Sequence, residues 1–248
     1  MSNKLVRYIQ SFWFATCQHI RRTILFTPNS SEDRVSLQQK LLSEHRTRWL
    51  DVGSGLNMEE GFDLLDILPP PRHLPAGQRY YQLDILMASD DDISSLGSFD
   101  LIRMQHVLEH FTFEDGLIVL NRCAYLLRPD GILLVTVPDL AKYVDKYLNN
   151  SFWMWPRFTY WATKRIPLLS PDSFYFSIYC HSALSEPHKW CYDIEGLLYE
   201  INNSRCFTNA KPLSFTDPLA SYPFTHNRPE EEICVVATRS PSLPLRSF

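Results

Sequence analysis

The chain lacks several features that would place it outside ordinary globular proteins. Its 248 residues include six cysteines, none in a Cys-x-x-Cys pair, so their spacing supports neither a zinc knuckle nor a disulfide framework. The net charge of −4 argues against non-specific binding of DNA or RNA, which needs a strong positive field. No apolar run approaches the about 20 residues that span a bilayer. We therefore expect a cytoplasmic protein with free thiols and no nucleic-acid partner, and its length suits one α/β domain with extensions.

The N-terminal segment has a biased charge. Residues 1–27 carry Lys4, Arg7, Arg21 and Arg22 but no acidic residue, around an apolar stripe that polar side chains interrupt. Those interruptions argue against a secretory signal, which needs a continuous apolar region. We favour an amphipathic helix packed on the domain, and a helix that contacts a membrane surface is the alternative.

Strand and helix patterns alternate along the rest of the chain. The expected strands are 48–52, 62–67, 80–85, 99–104, 132–137 and 233–238. A helix is expected after Thr112, ending at Pro129, and another over 194–203, capped by Asp193. Strands that alternate with helices predict a doubly wound, mostly parallel α/β sheet.

We expect one domain in four parts. These are a helical N-terminal extension (1–46), a cofactor-binding core (47–139), an aromatic cap (140–192) and a closing helix, strands and tail (193–248).

A strand that ends in a glycine loop is the first candidate binding element. The sequence WLDVGSGLN begins at Trp49 and contains Gly53 and Gly55. Glycine lets the backbone approach a ligand closely, because it has no Cβ and tolerates unusual dihedral angles. A dinucleotide fingerprint would have a third glycine where Met58 stands, which argues against a nicotinamide or flavin oxidoreductase.

Three acidic residues follow the same logic. Asp51, Asp66 and Asp84 each fall near the end of an expected strand, where open α/β sheets bind their ligands. A carboxylate at the end of the second strand can accept both ribose hydroxyls of a nucleoside. Asp63 is the alternative to Asp66, because the segment after Gly55 is short.

The order of these motifs resembles a known family. LDVGSG, DLLDI, YQLDIL, FDLIRMQHVLEHF and LLRPDGILLVTVPD are similar to the motif series of class I S-adenosylmethionine-dependent methyltransferases. The similarity is greatest to a methyltransferase-domain subgroup found among bacterial glycan and natural-product biosynthesis enzymes. It covers residues 48–139 and extends weakly through 188–193. It implies a seven-stranded Rossmann-like sheet, S-adenosylmethionine as cofactor, and methyl transfer to an oxygen or nitrogen of a small-molecule or glycan acceptor.

The resemblance also assigns the cofactor loop. Asp51, Gly53 and Gly55 would border the methionine portion of the cofactor. Asn57 stands where many members of the superfamily have a third glycine.

Further along the chain, the resemblance assigns the nucleoside. Asp66 would hold the ribose, and Asp84 and Ile85 would flank the adenine. Gln105 and His106 would line the floor of the site after the fourth strand.

Catalytic and acceptor-binding residues are expected near the aromatic segment. Residues 143–192 contain 14 aromatic side chains, which could form a lid over the site or a second small core. Histidine titrates near neutrality, and His188 and His106 are the candidate bases. Trp190 and Tyr192 are the candidate acceptor-binding residues.

Two other functions stay open. One is a cofactor-binding pseudoenzyme that acts as a partner protein. The other is a zinc peptidase, because His106-Val-Leu-Glu109-His110 matches a His-x-x-Glu-His signature. That site requires both histidines on one face of a helix, whereas here the segment follows a strand, so we expect no bound metal.

Overall fold

The computed structural model describes residues 48–55, 59–149, 188–215 and 231–241. The chain divides into two compact units, Met1–Arg46 and Thr47–Phe248, and every described residue belongs to the second. The predicted N-terminal helix and most of the predicted aromatic cap lie outside the described residues. Within the described ranges, no helix combines the length and apolar character needed to cross a membrane.

A seven-stranded sheet forms the centre of the described structure. Its strands are β1 (Trp49–Val52), β2 (Phe62–Asp66), β3 (Tyr80–Gln82), β4 (Phe99–Gln105), β5 (Leu127–Pro138), β6 (Phe207–Leu213) and β7 (Glu232–Arg239). They lie in the order β3-β2-β1-β4-β5-β7-β6. The first five strands are parallel, and β7 runs antiparallel to both of its neighbours. This mixed, mostly parallel sheet confirms the predicted α/β fold class.

Four α-helices of the described ranges connect or flank these strands. They are α1 (Asp90–Ser95), α2 (Phe113–Leu126), α3 (Leu140–Leu148) and α4 (Ile194–Asn203). Each begins beside a side-chain oxygen that accepts a backbone amide, supplied by Ser89, Thr112, Asp139 and Asp193 respectively. The predicted starts of α2 and α4 are therefore confirmed.

The second half of β5 is buried on both faces of the sheet. Leu133, Leu134, Val135 and Val137 of β5 are fully buried, as a continuous apolar run in a central parallel strand predicts. The strand begins earlier than expected, at Leu127, so the sequence Pro-Asp-Gly lies inside the strand range rather than before it. The pairing of β5 with β4 shifts register at this point.

The position of strand β6 was not predicted, although a seven-stranded sheet with strands after residue 193 was expected. This strand lies at one edge of the sheet, pairs only with β7 among the described strands, and includes Pro212. An edge strand tolerates proline and polar side chains because one of its sides makes no ladder hydrogen bonds. Its sequence FTNAKPL consequently lacks the apolar pattern by which the other strands were found.

Candidate functional site

The carboxyl ends of the central strands form the candidate site. Val52 pairs with Leu65 of β2 and with Met104 of β4, so the next residues, Gly53, Asp66 and Gln105, follow side by side. Strand β1 lies between β2 on one side and β4 on the other. The chain builds the sheet outward from β1 first in one direction and then in the other, so the strand order reverses at this point. Open α/β sheets bind ligands at such a point.

The two glycines of the loop after β1 have different reasons to be glycine. Both have positive φ, +68° at Gly53 and +56° at Gly55, a conformation that side chains disfavour. A Cβ on Gly53 would lie 2.4 Å from Cγ2 of Val107, so this glycine permits close packing against the segment after β4. A Cβ on Gly55 would meet no atom within 4 Å among the described residues. Gly55 therefore faces open space, as a ligand-contacting position should.

Asp66 lies at this edge and Asp63 does not. The Asp66 carboxylate accepts the Gly55 amide at 2.6 Å through Oδ2 and the Leu68 amide at 2.9 Å through Oδ1. Asp63 is nearer the amino end of β2, and its carboxylate contacts the Arg48 guanidinium at 2.9 Å. Of the two predicted alternatives, Asp66 is the one beside the glycine loop.

Asp51 is occupied by an ion pair inside the sheet. Its Oδ1 accepts a hydrogen bond from Nε of Arg103 at 3.1 Å, and its Oδ2 accepts one from Nη2 of the same residue. Arg103 lies directly opposite on β4. The same guanidinium contacts Glu59 and lies 4.5 Å from the centre of the Phe62 ring. Asp51 is 2% exposed and Arg103 is 1% exposed.

The charges of this ion pair stabilise each other. Burial acts to lower the pKa of Arg103, but the negative charges of Asp51 and Glu59 outweigh it and raise that pKa. Both oxygens of Asp51 thus contact Arg103 within the sheet, and the expected place of Asp51 beside the methionine portion of a cofactor stays a prediction. A charged residue amid the apolar side chains of β4 was the sequence signal for this pair.

Asp84 and Ile85 follow β3 at the same edge of the sheet. Asp84 is exposed, and its Oδ1 accepts the amides of Leu86 (2.9 Å) and Met87 (3.2 Å), which closes a turn. The Ile85 side chain belongs to the hydrophobic core, and its carbonyl accepts a hydrogen bond from Arg122 at 2.6 Å. Only Asp84 presents its side chain outward.

His106 is held between two carboxylates. It directly follows β4 with a φ of +57°, its Nε2 lies 2.5 Å from Oε1 of Glu232, and its Nδ1 lies 3.1 Å from Oε1 of Glu109. Burial acts to lower the pKa of His106, but Glu232 and Glu109 outweigh that effect and raise the pKa to about 9. A general base must be unprotonated, so this imidazolium does not suit the predicted role of His106 as a base.

The partner Glu232 was missed from the sequence. It lies 126 residues after His106 and begins β7, which the sheet brings beside β5. No local pattern joins two residues at such a separation.

Backbone hydrogen bonds hold His188 next to the turn after β4. The carbonyl of Glu109 accepts the amides of Lys189 at 2.8 Å and Trp190 at 3.2 Å. His188 Nε2 consequently lies 4.0 Å from Glu109 Oε1, and its ring packs edge-on against His110 with the centroids 4.9 Å apart. Residues 188–190 are therefore part of the same site as the turn after β4.

The two predicted acceptor-binding residues have opposite environments. Trp190 is 43% exposed and packs against Phe113 with ring centroids 5.7 Å apart. Tyr192 is 1% exposed, and its hydroxyl donates to Oε2 of Glu200 at 2.5 Å. Trp190 can contact an acceptor, whereas the placement of Tyr192 in the core disagrees with the predicted binding role.

The geometry required for a zinc peptidase is absent from this part of the described chain. Residues Leu108–His110 form a single 3₁₀ turn, and His106 precedes it with both ring nitrogens beside carboxylates. The two histidines of the signature therefore do not share one helical face. This finding removes the structural basis for the peptidase hypothesis.

The sheet order and the glycine loop at its reversal point define a Rossmann-like ligand-binding protein. The sequence pattern of the family described as "Methyltransferase domain" matches residues 17–175, more than half of the chain. The chain belongs to this methyltransferase-domain family. The resemblance to class I methyltransferases that the sequence motifs indicated is thereby confirmed.

Solved structures of low sequence identity are also similar to the chain. SibL, an S-adenosylmethionine-dependent methyltransferase in its apo form, is 15% identical, with 83% of this chain and 55% of SibL covered and a TM-score of 0.46. An O-methyltransferase family protein from Burkholderia thailandensis is 15% identical, with coverage of 86% and 59% and a TM-score of 0.47. The 1,6-didemethyltoxoflavin-N1-methyltransferase from Burkholderia thailandensis is 13% identical, with coverage of 97% and 91% and a TM-score of 0.45.

The chain spans little more than half the length of the first two of these structures. No curated protein sequence matched it.

Proposed function

We propose that this chain transfers the methyl group of S-adenosylmethionine to an oxygen or nitrogen of a small-molecule or glycan acceptor. The observation that carries the proposal is the row of Gly53, Asp66 and Gln105 at the sheet's reversal point, with the Gly55 amide tied to Asp66. A nucleoside with a charged amino-acid tail matches an edge that combines exposed backbone with a carboxylate. Membership of the methyltransferase-domain family supports the same reaction class.

The cofactor would lie across the carboxyl edge of β1, β2 and β3. Gly55 would leave the backbone accessible to the methionine portion, and Gly53 would border it while letting the loop pack closely against Val107. Asp66 would accept the ribose hydroxyls, because a carboxylate has about four acceptor sites and its two amide contacts use only two. Asp84 would border the adenine with its exposed carboxylate, and Ile85 would contribute only backbone there.

The floor of the proposed site follows β4. Gln105 ends that strand, and His106 carries a positive charge beside Glu109 and Glu232. The two carboxylates already balance the charge of this imidazolium and face both of its ring nitrogens, so His106 would shape the floor without pairing with the cofactor. Its paired carboxylates hold the ring in one orientation.

The reaction itself needs positioning more than covalent chemistry. A lone pair of the acceptor forms a bond to the methyl carbon while the bond from that carbon to sulfur breaks. The released electron pair stays on sulfur and neutralises the sulfonium, which gives S-adenosylhomocysteine, and the acceptor loses one proton. Holding the two reactants in line converts a bimolecular step into a unimolecular one.

The acceptor would lie on the side of the site formed by His188 and Trp190. His188 is half-buried next to the turn after β4, where it could take the proton from an acceptor. Trp190 offers a partly exposed ring that could pack against the acceptor.

The proposal is tested by binding first and turnover second. Calorimetry should show that the full chain binds S-adenosylmethionine and S-adenosylhomocysteine. Release of S-adenosylhomocysteine is then measured with panels of phenols, sugars and amines. His188→Ala should lower turnover about 100-fold, with the cofactor affinity within about threefold of wild type. His73→Ala, an exposed histidine in the loop before β3, is the matched control.

The pseudoenzyme alternative predicts a different result. The charged state of His106 and the burial of Tyr192 leave two of the predicted site residues unsuited to their roles, which is the observation in its favour. Cofactor binding without product from any acceptor would support it.

A further inference from the structure

Three side chains of metal-binding type meet beside the glycine loop. Glu109, His110 and His188 each offer one ligand atom, and these atoms all lie within 4.8 Å of one another. Glu109 and His110 belong to the 3₁₀ turn after β4, and His188 comes from a segment 78 residues later, as the numbering shows. The fold thus brings the three together from two distant parts of the chain.

Backbone contacts fix this arrangement independently of the three side chains. The Glu109 carbonyl accepts the amides of Lys189 and Trp190, which holds His188 next to the turn. Val107 lies just before the turn and packs against Gly53 so closely that a side chain on Gly53 would clash with it. The cluster is therefore built against the loop that forms the proposed cofactor site.

Two polar atoms of the cluster are buried without a partner. Within the described residues, neither Oε2 of Glu109 nor Nδ1 of His110 has a hydrogen-bond partner. Glu109 is 1% exposed, so water cannot easily replace the missing contact. A buried carboxylate oxygen without a partner destabilises a fold, and a bound cation would remove that cost.

We propose that Glu109, His110 and His188 bind a divalent transition-metal ion of the Zn²⁺ type. Two imidazole nitrogens and one carboxylate oxygen suit Zn²⁺ and its first-row neighbours better than Mg²⁺ or Ca²⁺, which prefer oxygen ligands alone. Zn²⁺ bonds of about 2.1 Å place tetrahedral ligand atoms about 3.4 Å apart, so the three side chains would move together by about 1 Å. This site runs against the absence of metal expected from the sequence.

The metal would also narrow the class of acceptor, an inference that rests on the proposed function. Three protein ligands leave a fourth position for water or a substrate oxygen. A metal ion there would lower the pKa of an acceptor hydroxyl, so that its proton would pass to solvent and its oxygen would become a better nucleophile toward the methyl carbon. The site therefore favours an oxygen acceptor, and His188 acts as a metal ligand instead of removing the proton directly.

The first test measures Zn²⁺ binding to the full chain without a polyhistidine tag. After treatment with a chelator, the wild-type protein should bind one Zn²⁺ ion by calorimetry. His188→Ala and Glu109→Gln should each weaken that binding by about 100-fold or more, as expected for lost ligands. His73→Ala should bind Zn²⁺ as the wild type does. Equal affinity in wild type and His188→Ala, or no saturable binding by wild type, would overturn the site.

A second readout covers variants that are poorly folded. Zn²⁺ should raise the Tm of the wild-type protein, because a ligand of the native state stabilises it, and should leave the Tm of His188→Ala unchanged. An equal rise in both proteins contradicts the site.

The same samples separate this inference from the proposed function. Binding of S-adenosylmethionine without binding of Zn²⁺ would reject the metal site and leave the methyltransferase proposal intact. Binding of Zn²⁺ to the three ligands without cofactor binding would support the site and reject the proposed function.

Discussion

The backbone amide of Gly55 donates to Oδ2 of Asp66 over 2.6 Å, which ties the glycine loop to the end of β2. The contact joins the two elements that would hold adjacent parts of the cofactor, the methionine portion and the ribose. Asp66 thus has a structural contribution as well as the proposed binding role, and its variants must be tested for both.

The first prediction concerns Asp66. Asp66→Ala should weaken S-adenosylmethionine binding by about 1–3 kcal/mol, because charge-assisted hydrogen bonds to the ribose are lost. The measurement is calorimetry, with circular dichroism to establish that the variant is folded. Asp63→Ala is the matched control on the same strand, since its carboxylate pairs with Arg48 away from the loop. Unchanged affinity in a folded Asp66→Ala protein would show that another group binds the ribose.

The second prediction separates the two glycines. Gly55→Ala should leave the fold intact at a cost of about 1 kcal/mol for the positive φ, since its Cβ meets open space, but should weaken cofactor binding. Gly53→Ala should destabilise the protein more strongly, because its Cβ would lie 2.4 Å from Val107. Urea unfolding and calorimetry together check both. Undiminished cofactor affinity in Gly55→Ala would mean that the open space is not the cofactor site.

The third prediction concerns the buried ion pair. Arg103→Met should lower the free energy of unfolding by about 3–5 kcal/mol, because it leaves Asp51 charged and unpaired inside the sheet. The double variant with Asp51→Asn should recover part of that loss. Urea denaturation provides the measurement, and a loss below about 1 kcal/mol for Arg103→Met would show that the pair is not buried as described.

The fourth prediction is a pH dependence of stability from Glu200. Burial raises the pKa of this carboxyl to about 7, the hydrogen bond from Tyr192 acts to lower it, and the charge of Glu114 adds to the rise. The folded-state pKa exceeds the unfolded value near 4.5, so the folded protein holds the proton of Glu200 more tightly than the unfolded chain does. The stabilisation that this proton contributes to the free energy of unfolding is fully present below pH 4.5 and is lost as pH rises to about 7. Above that range its contribution is constant.

Glu200→Gln should therefore gain stability relative to wild type by about 3 kcal/mol between pH 4.5 and pH 8. The free energy of unfolding is measured by urea denaturation across that range. Glu195→Gln, an exposed position on the same helix, is the control and should run parallel to wild type. Parallel curves for Glu200→Gln and wild type would mean that Glu200 ionises in the folded protein as it does in the unfolded chain.

Features of the fold that depend on local pattern were predictable from the sequence. The apolar run of β5 and the capped start of α4 at Asp193 follow from side-chain burial and capping, which act over a few residues. The glycine loop was recognised for the same reason. The edge strand β6 was missed because an edge position removes the burial that makes a strand visible in sequence.

Contacts between distant segments were not predictable from one sequence. The partners of Asp51 and His106 are Arg103 and Glu232, which the sheet brings together from other strands. Asp51 has the residue type and position of a cofactor ligand, and only the structure shows that both its oxygens are taken. Tyr192 looked like part of an aromatic wall, but it packs inward and donates to Glu200.

The most direct test of the account is calorimetric titration of the wild-type chain with S-adenosylmethionine. We predict saturable binding at one site per chain, and competition by S-adenosylhomocysteine, which shares the nucleoside and the amino-acid tail. Binding should be weakened in Asp66→Ala and retained in Asp63→Ala. No saturable binding of either compound to the folded wild-type protein would contradict the proposal that this sheet edge is a cofactor site.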